Sequence, residues 1–232
     1  MTDALVHGRA RHAHRAVVET PADRAGPLVL VLHEAWGLTA DILDTTVRLA
    51  RAGFVAVAPD LLTPAGGTLR AVAQSMWGAG PALEAAVDTI DWAQGIPEVS
   101  GRGVGVVGFS MGGTLALSLG RHAAVAAISA NYCLPPLRWT GGRHVPVLAT
   151  FGGADRLLPG HGRRLARRLE ARGVEHRIQV HSGARHSFMT PLDVRMSTSR
   201  LGRALRLEHD QLAARAAWRD TIAFLHTHLP TG

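Results

Sequence analysis

The apolar positions along the chain fall into two recurring patterns. Short uninterrupted runs of β-branched and leucine residues alternate with longer stretches in which apolar residues return every three or four positions. Leu28-Val-Leu-Val-Leu is the clearest run, the mark of a strand buried on both faces of a parallel sheet. Residues 54–58, 104–109, 125–129, 145–151 and 175–180 read as further strands, and Arg15–Glu19 as a short edge strand. Between them, the helical period predicts a helix capped by Thr39 or Asp41 and running to Ala52, with Leu43, Val47 and Ala50 recurring along it. After a loop over 61–67, two helical stretches break at Gly78-Ala-Gly-Pro81. Helices over 111–121, 163–172 and 209–228 complete the set, the last with Leu212, Trp218, Ile222 and Leu225 turned inward.

Strands alternating with helices at this spacing predict an α/β fold with a mostly parallel sheet and helices on both faces. The 232 residues contain no repeat and no linker, so one domain over 1–232 is expected, with 1–14 open to being a mobile N-terminal segment. Only a short Pro- and Gly-containing loop separates the strands at 125–129 and 145–151, too little for a helical cap domain. No apolar run approaches the roughly 18 residues of a membrane span. The first residues show no apolar signal core. A cytoplasmic protein without membrane partners is the expectation.

The cations outnumber the anions 25 to 18, and all 25 are arginine. They are dispersed. Their densest run, Arg163, Arg164, Arg167 and Arg168, alternates with Leu165, Ala166 and Leu169, the pattern of a solvated helix face. No nucleic-acid partner is therefore expected. The single cysteine, Cys133, excludes an internal disulfide framework and a cysteine zinc cage, and reads as a small buried hydrophobe. His7, His12 and His14 have neither a carboxylate nor ligand spacing beside them, so no metal is expected.

Ligand chemistry in such sheets sits at the carboxyl ends of the strands. Gly108-Phe-Ser110-Met-Gly112-Gly follows one of them and opens a helix, the strand–turn–helix setting of a nucleophile elbow. A serine hydroxyl needs a general base, and the base an orienting acid. Asp155 follows the strand at 145–151 and His186 follows the last strand, giving Ser, Asp, His in the order this architecture uses. The expected triad is Ser110, His186 and Asp155.

His33-Glu34-x-x-Gly37 after the first buried strand, Ala-Pro-Asp60-Leu after the next, the elbow, Gly-x-x-Asp155 and His186-x-Phe together resemble the dienelactone hydrolase family of the α/β-hydrolase fold. The resemblance runs from about Val17 to Leu229 and includes the closing Trp218 region. It implies an oxyanion hole from the backbone N–H groups of Met111 and Ala35. It places Glu34 where the family glutamate contacts the resting nucleophile; a buried carboxylate paired with an arginine is the structural alternative. Three departures stand out. The best-known members use cysteine where this chain has Ser110, so His186 must carry the deprotonation. The position of a substrate-binding arginine shortly after the histidine is held by Thr190, which argues against dienelactone itself as substrate. The stretch Pro191–Glu208 is longer than usual for the family, and its Arg195, Arg200, Arg203 and Arg206 suit a flap or a solvated surface.

The expected activity is hydrolysis of a small-molecule carboxylic ester or lactone through an acyl-enzyme, without cofactor. An acyltransferase or amidase using the same triad, and a ligand-binding member of the fold without turnover, are the alternatives. Trp36, Trp77, Tyr132, Trp139 and Met189 are candidate pocket walls, each with core packing as its alternative. The sequence leaves the oligomeric state open.

Overall fold

The computed structural model describes residues 1–8, 13–22, 25–101, 103–139, 145–191 and 208–229. Eight strands form one sheet: β1 (Thr2–Val6), β2 (His14–Glu19), β3 (Leu28–Leu32), β4 (Val55–Pro59), β5 (Val104–Phe109), β6 (Val125–Asn131), β7 (Val147–Gly152) and β8 (His176–His181). Their spatial order is β1-β2-β4-β3-β5-β6-β7-β8. The pairs β1·β2 and β2·β4 are antiparallel, and every pair from β4 to β8 is parallel. Among the described residues the helices are α1 (Ala40–Arg51), α2 (Leu62–Ala65), α3 (Thr68–Trp77), α4 (Pro81–Ala93), α5 (Met111–Leu119), α6 (His161–Glu170) and α7 (Gln211–His228). None of the described helices is long and apolar enough to cross a membrane.

The fully buried strand β3 shows why two-sided apolar runs were needed. Leu28, Leu30 and Leu32 point into the core beneath α3, α4, α5 and α6, while Val29 and Val31 point into the core beneath α1 and α7. Each such side chain contributes about 1.5–3 kcal/mol by leaving water. On α6, Leu165 and Leu169 are buried while Arg163, Arg164 and Arg167 are exposed as the solvated face expected; Arg168 is half-buried and donates to Pro136 O at 3.0 Å.

Several local expectations are corrected. The stretch 61–67 contains the one-turn helix α2, whose first amides are held by Asp60 Oδ1 at 2.9 and 3.3 Å. The buried stripe of α1 runs through Ile42, Thr46 and Leu49, leaving Leu43 and Val47 half-buried. Leu212 sits in the first turn of α7 and is exposed, with Ala213 and Ala217 facing the core beside the expected Trp218 and Leu225. Residues 2–6, within the N-terminal stretch, add β1 to the sheet, so β2 is not the edge. His14 is buried, with Nε2 2.8 Å from Thr89 Oγ1 on α4, while His12 lies outside the described residues.

The strand order places the chemistry. The chain steps from β3 outward to β4, then crosses back over β3 to β5. The reversal leaves a crevice at the carboxyl ends of β3 and β5, where α/β sheets bind ligands. His33–Trp36 leaves one side of that crevice and Ser110 the other.

Candidate active site

Ser110 is the residue between β5 and α5, with φ 51° and ψ −113°, a conformation sparsely available to a side-chain-bearing residue. The turn is held by contact on both sides. A Cβ at Gly108 would lie 2.3 Å from the Gly112 carbonyl oxygen, and one at Gly112 would lie 2.2 Å from that of Leu32. Only glycine permits that approach. The Ser110 N–H donates to Asn131 O at 2.9 Å, tying the elbow to the end of β6.

Ser110 Oγ lies 3.1 Å from His186 Nε2, and His186 Nδ1 lies 2.8 Å from Asp155 Oδ2. Asp155 Oδ1 accepts from the backbone N–H groups of Leu157 and Leu158 at 2.8 and 3.0 Å. Burial alone would raise the Asp155 pKa. The His186 hydrogen bond, the imidazole charge and the two amides outweigh it and hold the carboxyl below its ordinary value. An ionised Asp155 can only accept, so the imidazole proton resides on Nδ1 and the Nε2 lone pair faces the serine hydroxyl. The three side chains expected to meet do meet, and they do so in base-and-orienter geometry.

The lowered Asp155 pKa links folding to acid. Its stabilising effect is fully present above the unfolded value of about 3.9 and is lost as pH falls through the lower folded value. Asp155→Asn removes that linkage. Urea unfolding followed downward from pH 5 should lose stability less steeply in the variant, the difference reaching at most about 1.4 kcal/mol per pH unit.

Glu34 is buried, 3% exposed, and makes no hydrogen bond to Ser110. Its Oε2 accepts from Ser187 Oγ at 2.9 Å, and its Oε1 lies 2.9 Å from the Tyr132 hydroxyl and 3.0 Å from Thr190 Oγ1. The Tyr132 and Thr190 oxygens are themselves 2.7 Å apart, so two hydroxyl hydrogens serve three edges. Burial, and then the charge of Glu34, push the Tyr132 phenol well above its ordinary pKa and keep it a donor. Among the described residues the carboxylate thus bonds neither Ser110 nor an arginine, and three hydroxyls are its partners. Tyr132 (φ 37°) and Ser187 (φ 60°) are, with Ser110, the non-glycine residues at positive φ among those described. Ser187 follows His186 directly, and the Tyr132 ring meets the His186 ring edge-on at 5.2 Å. The hydroxyl cluster therefore braces the histidine loop from behind. Sequence alone missed it, although Tyr132 and Ser187 each follow a strand's carboxyl end and so share a rim with Glu34.

A cavity of about 180 Å³ opens at Ser110 and His186. Ala35, Met111, Tyr132, Val72, Met76, Leu134, Leu157 and Leu158 are among its walls, with Cys133, Ser75 and Thr114. Of the five expected walls only Tyr132 is there. Trp77 is 47% exposed beneath Arg138, Trp139 packs under Arg172, Met189 is buried in the core below α1 and α7, and Trp36 is half-buried. The walls come instead from aliphatic residues of α3 and of the loops after β6 and β7. Ala35 and Met111 line the same cavity, and Met111 opens α5, where a backbone N–H has no acceptor within the helix. Arg195, Arg200, Arg203 and Arg206 lie outside the described residues.

Cys133 is 1% exposed, and burial pushes its thiol up to about 12. A disulfide reagent at pH 8 should modify it at least about 100-fold more slowly in the native protein than in urea. Equal rates would show that the cavity wall opens freely. Among the described residues no group of three or more His, Cys, Asp or Glu side chains is arranged to hold a metal ion.

The sequence profile of the Dienelactone hydrolase family matches residues 14–229. The chain belongs to the dienelactone hydrolase family. Membership makes it a hydrolase of the carboxylic-ester class. It is 29% identical to carboxymethylenebutenolidase of Pseudomonas putida over 195 residues, 76% of this chain and 81% of that one. It is 27% identical to Protein usf of Aquifex pyrophilus, over 93% of this chain and 94% of the other. Among solved structures, dienelactone hydrolase from Anabaena variabilis superposes with a TM-score of 0.72 at 17% identity, over 98% of this chain and 97% of that one. A dienelactone hydrolase-like promiscuous phosphotriesterase from metagenomic libraries superposes with a TM-score of 0.76 at 22% identity, over 98% of both chains. The structural likeness carries the α/β-hydrolase fold.

Proposed function

We infer that this dienelactone hydrolase family member cleaves a small, uncharged carboxylic ester or lactone through an acyl-enzyme on Ser110. The observation that carries this reading is the continuous Ser110–His186–Asp155 hydrogen-bond chain beside a cavity. Ser110 Oγ attacks the carbonyl carbon while His186 Nε2 takes the hydroxyl proton. The backbone N–H groups of Met111 and Ala35 receive the oxyanion, at the positive end of α5. His186 then returns the proton to the leaving alkoxide, and the acyl group remains on Ser110. Water enters, loses its proton to His186 and attacks the acyl carbon, releasing the acid and restoring the serine. Asp155 keeps its charge throughout and holds the imidazolium.

The substrate class follows from the walls. A cavity of about 180 Å³ has room for only a short acyl or alcohol group. Thr114 Oγ1 accepts from Leu134 N, Ser75 Oγ donates to Val72 O, and the Tyr132 hydroxyl serves Glu34, so the polar side chains on the wall are already engaged. Among the described residues no arginine lines the cavity, and a carboxylate buried against these walls would lack a partner. Relatives carry the name carboxymethylenebutenolidase, which supports lactone cleavage.

The test is turnover of 4-nitrophenyl butyrate and of an unsubstituted butenolide by wild type and Ser110→Ala, with mass analysis after a fluorophosphonate. Serine-dependent turnover with label on Ser110 is expected. No turnover across a panel of short esters and lactones, or equal turnover by the variant, would defeat the reading.

A further inference from the structure

The His33 ring is completely buried and bonds at both nitrogens, and neither bond belongs to the Ser110–His186–Asp155 chain. Nε2 lies 3.0 Å from the backbone nitrogen of Leu61, and Nδ1 lies 2.6 Å from the carbonyl oxygen of Glu34. A backbone N–H can only donate and a carbonyl can only accept. Leu61 therefore requires a bare Nε2, and Glu34 requires a proton on Nδ1. The ring is fixed as the neutral Nδ1–H tautomer by its two partners. Burial disfavours its charged form in the same direction.

The carbonyl that His33 holds belongs to the peptide unit joining Glu34 to Ala35. In a trans peptide the C=O and the N–H point in opposite directions in one plane. Fixing the Glu34 oxygen on one side therefore fixes the Ala35 N–H on the other, and Ala35 lines the cavity beside Ser110 and His186. A hydrogen bond accepted by the carbonyl also polarises the amide and strengthens its N–H as a donor. Leu61 lies at the end of β4, so the ring ties the exit of one strand to the exit of its neighbour.

We propose that His33 is a positioning residue, which orients and polarises the Ala35 N–H toward the oxyanion through the Glu34 carbonyl. The proposal rests on the reading of Ala35 as an oxyanion donor. It adds that this donor is set from the far side of its own peptide by an imidazole that never meets substrate.

Three variants test it. His33→Leu removes both bonds, His33→Gln can restore both, and His33→Asn keeps a polar group too short to span the two partners. In ¹⁵N-labelled protein, the Ala35 amide proton of His33→Leu should shift upfield and exchange with solvent on the order of tenfold faster, with His33→Gln near wild type. In ester turnover, kcat of His33→Leu should fall about 10- to 100-fold with KM within about threefold, and His33→Gln should recover most of it. If His33→Leu does not fold, His33→Asn should show both effects. A folded variant with an unmoved Ala35 amide overturns the proposal, and so does a kcat within threefold of wild type. If the wild type shows no serine-dependent turnover, the reading of the site fails, while the amide signal still decides whether the ring governs that peptide.

Discussion

The His186→Ala variant is expected to lose about 10⁴- to 10⁶-fold in kcat on a short ester, with Asp155→Asn losing about 10⁴-fold. The reasons differ. Without the imidazole, the Ser110 hydroxyl faces no base, because the buried carboxylate Glu34 is occupied by three hydroxyls and makes no bond to the serine. Without an acceptor-only group at Asp155, the imidazole loses the partner 2.8 Å from Nδ1 that keeps the proton there, and Nε2 can turn from acceptor to donor. Single-turnover kinetics with each variant and with the pair measure this. The double variant should be little worse than His186→Ala, because the groups act as one unit. Additive losses would mean that Asp155 and His186 serve separate steps.

The second large effect concerns stability. Glu34→Leu should lower the unfolding free energy by about 3 kcal/mol and the Tm by roughly 6–12 °C. The substitution leaves the Ser187, Tyr132 and Thr190 hydroxyls without their common acceptor inside the protein. Each orphaned hydroxyl costs about 1–3 kcal/mol, and the 2.7 Å contact between Tyr132 and Thr190 offsets part of the sum. Ser187 and Tyr132 also hold unfavourable backbone conformations that this cluster sustains. Glu34→Gln keeps an acceptor oxygen, and its N–H can donate to a hydroxyl, so a loss of about 1 kcal/mol is expected. Thermal and urea unfolding check both variants. A leucine variant within 0.5 kcal/mol of wild type would show that the cluster carries no stability.

Much of this architecture was legible in the chain because burial on two faces leaves no room for polar residues. Strands β3, β4 and β5 announce themselves as unbroken apolar runs, and the order Ser110, Asp155, His186 follows once each is seen to stand after a strand. Strand β1 escaped notice because an edge strand is half solvated, and Thr2-Asp-Ala-Leu-Val carries no continuous apolar signature. The pocket walls escaped for another reason. Aromatic residues were the natural candidates, yet Trp77 and Trp139 are engaged by Arg138 and Arg172, and the space at Ser110 is closed by Val72, Met76, Leu134, Leu157 and Leu158. Which aliphatic residues converge on one point is decided by the crossing of helices and loops, which periodicity does not encode. The partners of Glu34 lie 98 to 156 positions away in sequence, and only the shared rim of the sheet joins them.

The elbow has a consequence for how such an enzyme can change. Its demands fall on the backbone, through the close approaches at Gly108 and Gly112, and on the buried Phe109. Position 110 offers its side chain to the cavity at the point where it meets His186. Under the proposed function the reacting atom is a replaceable tip on a fixed mount, and oxygen and sulfur can be interchanged by one codon without redrawing the turn that presents them. Divergence in nucleophile within one lineage then requires retuning of the proton traffic around the tip, while the scaffold is inherited whole.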